Sequence, residues 1–110
     1  METYTKPQRP WQELGGGTRR RIRSYDAQMM MVEVNFDEGA TGADHAHAHT
    51  QITYCLEGEF AFHIGDTPYT LTRGDTLVFP ANAVHGCKAV KAGTLLDVFT
   101  PMREDFLPNG

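Results

Sequence analysis

The chain has 110 residues, 40% of them hydrophobic and 22% charged, with a net charge of −4. That length suits one domain with a single core, the composition is that of a folded globular chain, and the acidic balance excludes nucleic acid as the main partner. No stretch approaches the roughly 20 apolar residues needed to cross a bilayer, and METYTKPQRPW at the start lacks the apolar core of a secretory signal. No membrane partner is expected. The expected compartment is the cytoplasm, where Cys55 and Cys87 would stay reduced.

Residues 1–18 are polar, carry Pro7 and Pro10, and end at Gly15-Gly16-Gly17. They read as an N-terminal arm closing in a flexible turn, ahead of a domain over residues 19–110. Trp11, the one tryptophan, is the expected anchor of that arm on the domain or on a partner subunit. Arg19, Arg20, Arg21 and Arg23 would divide between the two faces of a strand, which reads as a solvated edge. Next, Met29 to Phe36 places Val32, Val34 and Phe36 on one face, with Glu33 and Asn35 on the other. DEGATGAD reads as a loop.

Ile52 to Leu56 is a β-branched and aromatic run closed by Glu57-Gly58. Glu59 to Ile64 alternates, with Phe60, Phe62 and Ile64 facing one way, and Gly65-Asp66 supplies a hairpin turn. Further short strands are expected at Tyr69–Leu71, Thr76–Phe79, Gly86–Val90 and Thr94–Phe99. Gly74-Asp75 and Ala92-Gly93 separate some of these. No window carries the 3.6-residue period of a long helix. Many short strands with turn glycines between them predict an all-β barrel or sandwich.

Between the DEGATGAD loop and Ile52 lies the chemistry. His45, His47 and His49 recur at every second position and Gln51 follows. Residues two apart on a strand share a face, about 6.6 Å apart, and two such imidazoles can converge on one ion at about 2.1 Å. Gln51 would lie roughly 13 Å beyond His47 on an extended strand, so it joins the site only if the backbone bends. The same reach argues against three ligands from positions 45, 47 and 49; one of them should surround the ion or face a substrate. A further ligand must come from elsewhere, and His85, in the turn after Pro80 and Asn82, is the candidate. Cys87, two residues past His85, reads as a buried, inert thiol.

The last strand holds the second anomaly. Asp97 sits between Leu96 and Val98, sharing a face with Leu95 and Phe99. A carboxylate in a packed strand needs a partner or a task. Asp97 is therefore either solvated on an open face or a general acid/base inside the barrel, with Phe99 as a wall. Arg103, just past Pro101, either forks onto a substrate carboxylate or pairs at the surface with Glu104 or Asp105.

These residues carry a resemblance. Gly39, His45, His47, Gln51 and Gly58 match the first cupin motif in spacing, and Gly74, Pro80, Asn82 and His85 match the second. Asn82 stands where glycine is usual, and Gln51 where many cupins have glutamate. The resemblance implies a small single-domain jelly-roll β-barrel holding one divalent metal ion on His45, His47, Gln51 and His85, with His49 beside the site as a substrate-facing residue. Imidazole and amide ligands suit nickel, zinc, iron or manganese alike. All four ligands would be neutral, so the cation would keep its charge and favour an anionic, oxygen-rich substrate.

The whole chain further resembles one cupin subgroup, the KdgF-type proteins of uronate catabolism, through PWQELGGGTRRRI, HAHAHTQITY and DVFTPMREDFL. That resemblance implies conversion of 4,5-unsaturated monouronates, left by pectin and alginate lyases, into linear ketonised sugars. Asp97, Phe99 and Arg103 would then be the active-site residues beside the metal, and a homodimer is expected. The alternatives are a three-histidine iron dioxygenase and a non-catalytic sugar- or metal-binding cupin.

Overall fold

The computed structural model describes residues 10–107. They form eight strands, β1 (Gln12–Gly15), β2 (Thr18–Tyr25), β3 (Met30–Phe36), β4 (Thr41–His45), β5 (Thr50–Ile64), β6 (Thr67–Thr72), β7 (Thr76–Phe79) and β8 (His85–Thr100), then one 3-10 turn at Glu104–Phe106. Every pairing is antiparallel. No α-helix occurs among the described residues, and none of them form a helix long and apolar enough to cross a membrane.

Two long strands organise the molecule. β5 and β8 pair from Thr50↔Thr100 to Ile64↔His85, and each changes its outer neighbour part-way along. Near Thr53 and Asp97 the pair is flanked by β7 and β3; at the far end it is flanked by β6 and β4. Register shifts between Cys55 and Phe60 bend the pair. Its halves thus belong to two sheets, β1-β2-β3-β8-β5-β7 and β4-β8-β5-β6, which pack face to face as a jelly-roll β-barrel. Two glycines permit the bend. Gly58 takes a φ of +94°, and a Cβ on Gly93 would collide with the Glu57 carbonyl.

The core between the sheets contains Phe36, Phe60, Phe62, Phe79, Leu71 and Leu95, so the period-two faces expected for β3 and β5 are the buried ones. A second cluster, Met30, Val32 and Phe99, packs against Ile22, Tyr25, Met102 and Phe106 and fastens the C-terminal turn to the first sheet. Burying one such side chain is worth about 1.5–3 kcal/mol, against about 0–1 kcal/mol for an exposed ion pair. Apolar contact therefore holds the sheets together.

Several elements differ from the sequence reading. Ile52–Leu56 and Glu59–Ile64 are one strand, as are Gly86–Val90 and Thr94–Phe99; the intervening glycines are bends within paired strands rather than turns. Thr41 to Asp44, expected in a loop, belong to β4, which pairs with β8. Residues 1–9 of the expected arm lie outside the described residues, and Gln12–Gly15 forms a hairpin with β2. Trp11 lies under the Arg21 guanidinium, 4.0 Å from it. The arginine run is not a solvated edge, because β2 lies between β1 and β3. Arg21 and Arg23 both reach Glu33, at 2.8 and 3.1 Å. Burial raises the Glu33 pKa, but the two guanidiniums outweigh it and leave the carboxyl below its usual range.

Candidate metal and proton-transfer site

β4 ends at His45, which faces His85, the first residue of β8, across the sheet. The chain then leaves the sheet over residues 46–49 and re-enters at Thr50. This is the bend that the reach argument required, and it returns Gln51 to within 3.0 Å of His47. The turn before His85 is tied to the same loop: Asn82, at a φ of 65°, donates its N–H to the His47 carbonyl at 2.7 Å. The ligand atoms of His45, His47 and His85 all lie within 4.8 Å of one another.

The ring orientations decide what this cluster can bind. Each Nδ1 faces a main-chain carbonyl, Ala43 at 2.8 Å for His45, His49 at 2.9 Å for His47 and Ala83 at 3.0 Å for His85. A carbonyl only accepts, so each Nδ1 carries the hydrogen and each Nε2 presents a lone pair. His85 Nε2 is buried and has no hydrogen-bond partner. Burial lowers the His85 pKa to about 4 and also depresses that of His47, so both rings stay neutral near pH 7.

Gln51 is oriented the same way. Its amide nitrogen donates to Thr53 Oγ1 at 2.9 Å, which aims Oε1 at the His47 Nε2 lone pair. Acceptor faces acceptor across 3.0 Å with no hydrogen between them. Converging lone pairs, fixed from behind by backbone carbonyls and a hydroxyl, fit a divalent cation. They have no hydrogen bond to make with one another.

The polar chain continues past Gln51. Thr53, fully buried, accepts from the Gln51 amide and donates its hydroxyl to Asp97 Oδ1 at 2.6 Å. Thr53 and Asp97 are direct partners in the β5–β8 register, as are Gln51 and Phe99. Asp97 is half-buried with its side chain on the barrel's inner face, so the solvated-face alternative is excluded. Burial raises its pKa to about 6, against the opposing hydrogen bonds from Thr53 and Gln51.

Beside these groups lies a cavity of about 440 Å³, within the range of about 300–1,000 Å³ typical of small-molecule sites. His45, Gln51, His85, Asp97, Phe99 and Arg103 all border it. Arg103 sits over Phe106 at 4.3 Å, and its Nε and Nη2 fork onto Asp105 at 3.0 and 2.8 Å. The surface-pair alternative is thus realised, and the hydrogen-bonded guanidinium lowers the Asp105 pKa. His49 does not border the cavity; its Nε2 lies 3.1 Å from the Met102 carbonyl and holds the C-terminal segment. Cys55 and Cys87 are free thiols, and burial pushes the Cys87 thiol up to about 12, which keeps it un-ionised.

Two residues at or behind the cavity wall escape sequence reasoning, Thr53 behind Gln51 and Asp97 and Arg20 on the wall itself. Thr53 shares a strand face with Gln51, a period-two signal, but its link to Asp97 depends on a 44-residue separation. Arg20 sits on the Ile22 face of β2 and points to the cavity, while Arg19 and Arg21 take the opposite face.

Residues 32–99 match the family model described as "Cupin domain". The chain belongs to the cupin family. It is 40% identical over 100 residues to the pectin degradation protein KdgF of Dickeya dadantii, covering 89% of this chain and 91% of that one. Its fold superposes on an RmlC-like cupin from Shewanella frigidimarina with a TM-score of 0.94 at 36% identity, covering 97% of both chains. KdgF from Halomonas sp. superposes with a TM-score of 0.90 at 32% identity, covering 96% of this chain and all of that one (100%).

Proposed function

We propose that this cupin is an enzyme that converts 4,5-unsaturated monouronates from pectin or alginate into linear ketonised sugars. The observation that carries the reading is the placement, around one cavity, of a lone-pair cluster suited to a divalent cation and a carboxyl poised near pH 6.

The substrate is a cyclic hemiacetal whose ring oxygen is attached to the C4=C5 double bond. Opening it breaks the bond between C1 and the ring oxygen, takes the proton from the C1 hydroxyl, and leaves an aldehyde at C1 and an enol at C5. One proton then adds at C4 as the enol hydroxyl gives up its own, producing the ketone. Atoms balance without a redox partner, so the reaction is an isomerisation. It needs a group that both accepts and returns a proton, and Asp97, titrating near 6, suits both directions at neutral pH. Thr53 fixes the carboxyl through Oδ1, and Phe99 forms an apolar wall beside it.

His45, His47, Gln51 and His85 are the residues that would hold the cation. When bound, it supplies electrophilic stabilisation of negative charge on substrate oxygen.

The test is direct. Purified protein added to freshly made unsaturated monouronate should abolish the double-bond absorbance faster than the spontaneous rate, and a chelator should remove that gain. Unchanged decay would refute the reading. Turnover without oxygen would separate it from a three-histidine iron dioxygenase.

The proposed partner is a second copy of the chain. Met31, Val98, Ile52 and Val78 are successive cross-strand neighbours on β3, β8, β5 and β7. Met31, Ile52 and Val78 are exposed, so they form an apolar row facing away from the cavity. The cytoplasm is the compartment that suits two free thiols.

A further inference from the structure

We infer that Arg20 is the residue that receives the sugar's carboxylate, an inference that rests on the uronate reading above. The charged side chains bordering the cavity are Arg20, Arg103 and Asp97. Of the two cations, Arg103 is already neutralised, because Asp105 takes its Nε and Nη2 in a bidentate pair. That fork is the geometry a substrate carboxylate would have used.

Arg20 is placed differently. Its Nε donates to the neutral Gln12 amide oxygen at 3.1 Å, and no carboxylate lies within ion-pair distance of it among the described residues. Its guanidinium carbon lies over Phe106, 3.7 Å from the ring centroid, with Arg103 also packed on that ring. Gln12 and Phe106 thus hold the guanidinium plane without satisfying its charge, leaving the two terminal nitrogens for an incoming group. Burial lowers the Arg20 pKa; the Asp105 charge opposes this and the Arg103 charge adds to it. A half-buried cation near a like charge and without an ion-pair partner is a costly arrangement that an anion would relieve. The planar fork suits a carboxylate specifically.

A purely structural role is the competing account: Arg20 would fasten the Glu104–Phe106 turn by stacking on Phe106. The two differ in what they do to ligand selectivity. With metal-loaded protein, binding of D-galacturonate and D-galactose is measured by titration calorimetry. The wild-type protein should bind galacturonate at least tenfold more tightly than galactose. Arg20→Met, which keeps an apolar stem on Phe106, should weaken galacturonate by about 10- to 100-fold, the loss expected for bonds to a charged group, while galactose binding stays the same. Arg20→Lys, which keeps charge but not the fork, should fall between. Arg103→Met should lose less selectivity than Arg20→Met.

If Arg20→Met keeps the wild-type preference for galacturonate, the assignment of Arg20 is overturned and the uronate reading survives. If the wild type does not prefer galacturonate, both fall. Should Arg20→Met fail to fold, Arg20→Lys decides the question on the same ratio, and an unchanged ratio overturns the assignment.

Discussion

Replacing Thr53 by valine keeps its shape and removes one hydroxyl, yet that hydroxyl sets the direction of a whole hydrogen-bond chain. Asp97 accepts the Thr53 proton at 2.6 Å, so the Thr53 oxygen can only accept from Gln51, at 2.9 Å. The Gln51 amide therefore shows its oxygen to His47. In Thr53→Val only the Gln51 hydrogen bond to Asp97 is left to hold that orientation. A rotated amide would donate to the His47 Nε2 lone pair and occupy the place of the metal. Loss of a partner that orients a metal ligand costs about 10- to 100-fold in affinity, or about 1.4–2.7 kcal/mol. Competition between apo-protein and a chromophoric chelator for Zn²⁺ or Ni²⁺ measures it. Thr53→Ser should retain wild-type affinity. In a Gln51→Glu background both terminal atoms are oxygens, nothing needs orienting, and Thr53→Val should cost little. A folded Thr53→Val protein with affinity within twofold of wild type in the Gln51 background would refute the reasoning.

Asp97→Asn should reduce turnover of unsaturated monouronate by at least about 100-fold, the usual contribution of a general acid/base, with metal content intact. It should also raise the apo-protein's melting temperature at pH 8. The folded carboxyl titrates near 6 rather than at 3.8, so the folded state binds more protons in that window and Asp97 destabilises it as pH rises; the variant's advantage should therefore shrink toward pH 4. His85 has the opposite sign. Its folded pKa of about 4 lies below the ordinary 6.5, so the unfolded chain binds more protons between those values and apo-protein stability falls as pH drops through them. His85→Gln should flatten that acid limb and reduce metal binding by at least about tenfold. Ile52→Asp, at a position 50% exposed on the outer apolar row, should leave the fold intact and shift sedimentation from dimer to monomer.

Much of the candidate site was legible because a ligand motif is a matter of local spacing. His45, His47 and His85 were readable from motif intervals, and strand geometry set the condition that Gln51 could join them only if the backbone bent. Asp97 stood out as a charge among apolar neighbours. What stayed hidden depends on partners distant in sequence. Glu57-Gly58 and Ala92-Gly93 look like turns, yet pairing between β5 and β8 carries both strands through them, and the glycines serve close backbone approach. Gly42 and Ala43 join a strand only because β8 offers them an edge. The arginine run has no visible task until Glu33 and the cavity are placed beside it. The fork of Arg103 onto Asp105 was foreseen as one of two possibilities, and sequence had no means of choosing.

The bend in the β5–β8 pair has a consequence for how such a molecule can diversify. His85 and Asp97 sit near opposite ends of one strand, and Gln51 and Thr53 ride on its partner. These candidate site residues are thus built into the paired strands of the core and should exchange their amide protons only when the whole domain opens. Arg20 and Arg103 come instead from the β1–β2 hairpin and the segment after β8, at the margins of the sheet. Changes at those margins can retune which anion enters while leaving the proton chemistry untouched. Substrate preference should therefore drift faster in this architecture than reaction type.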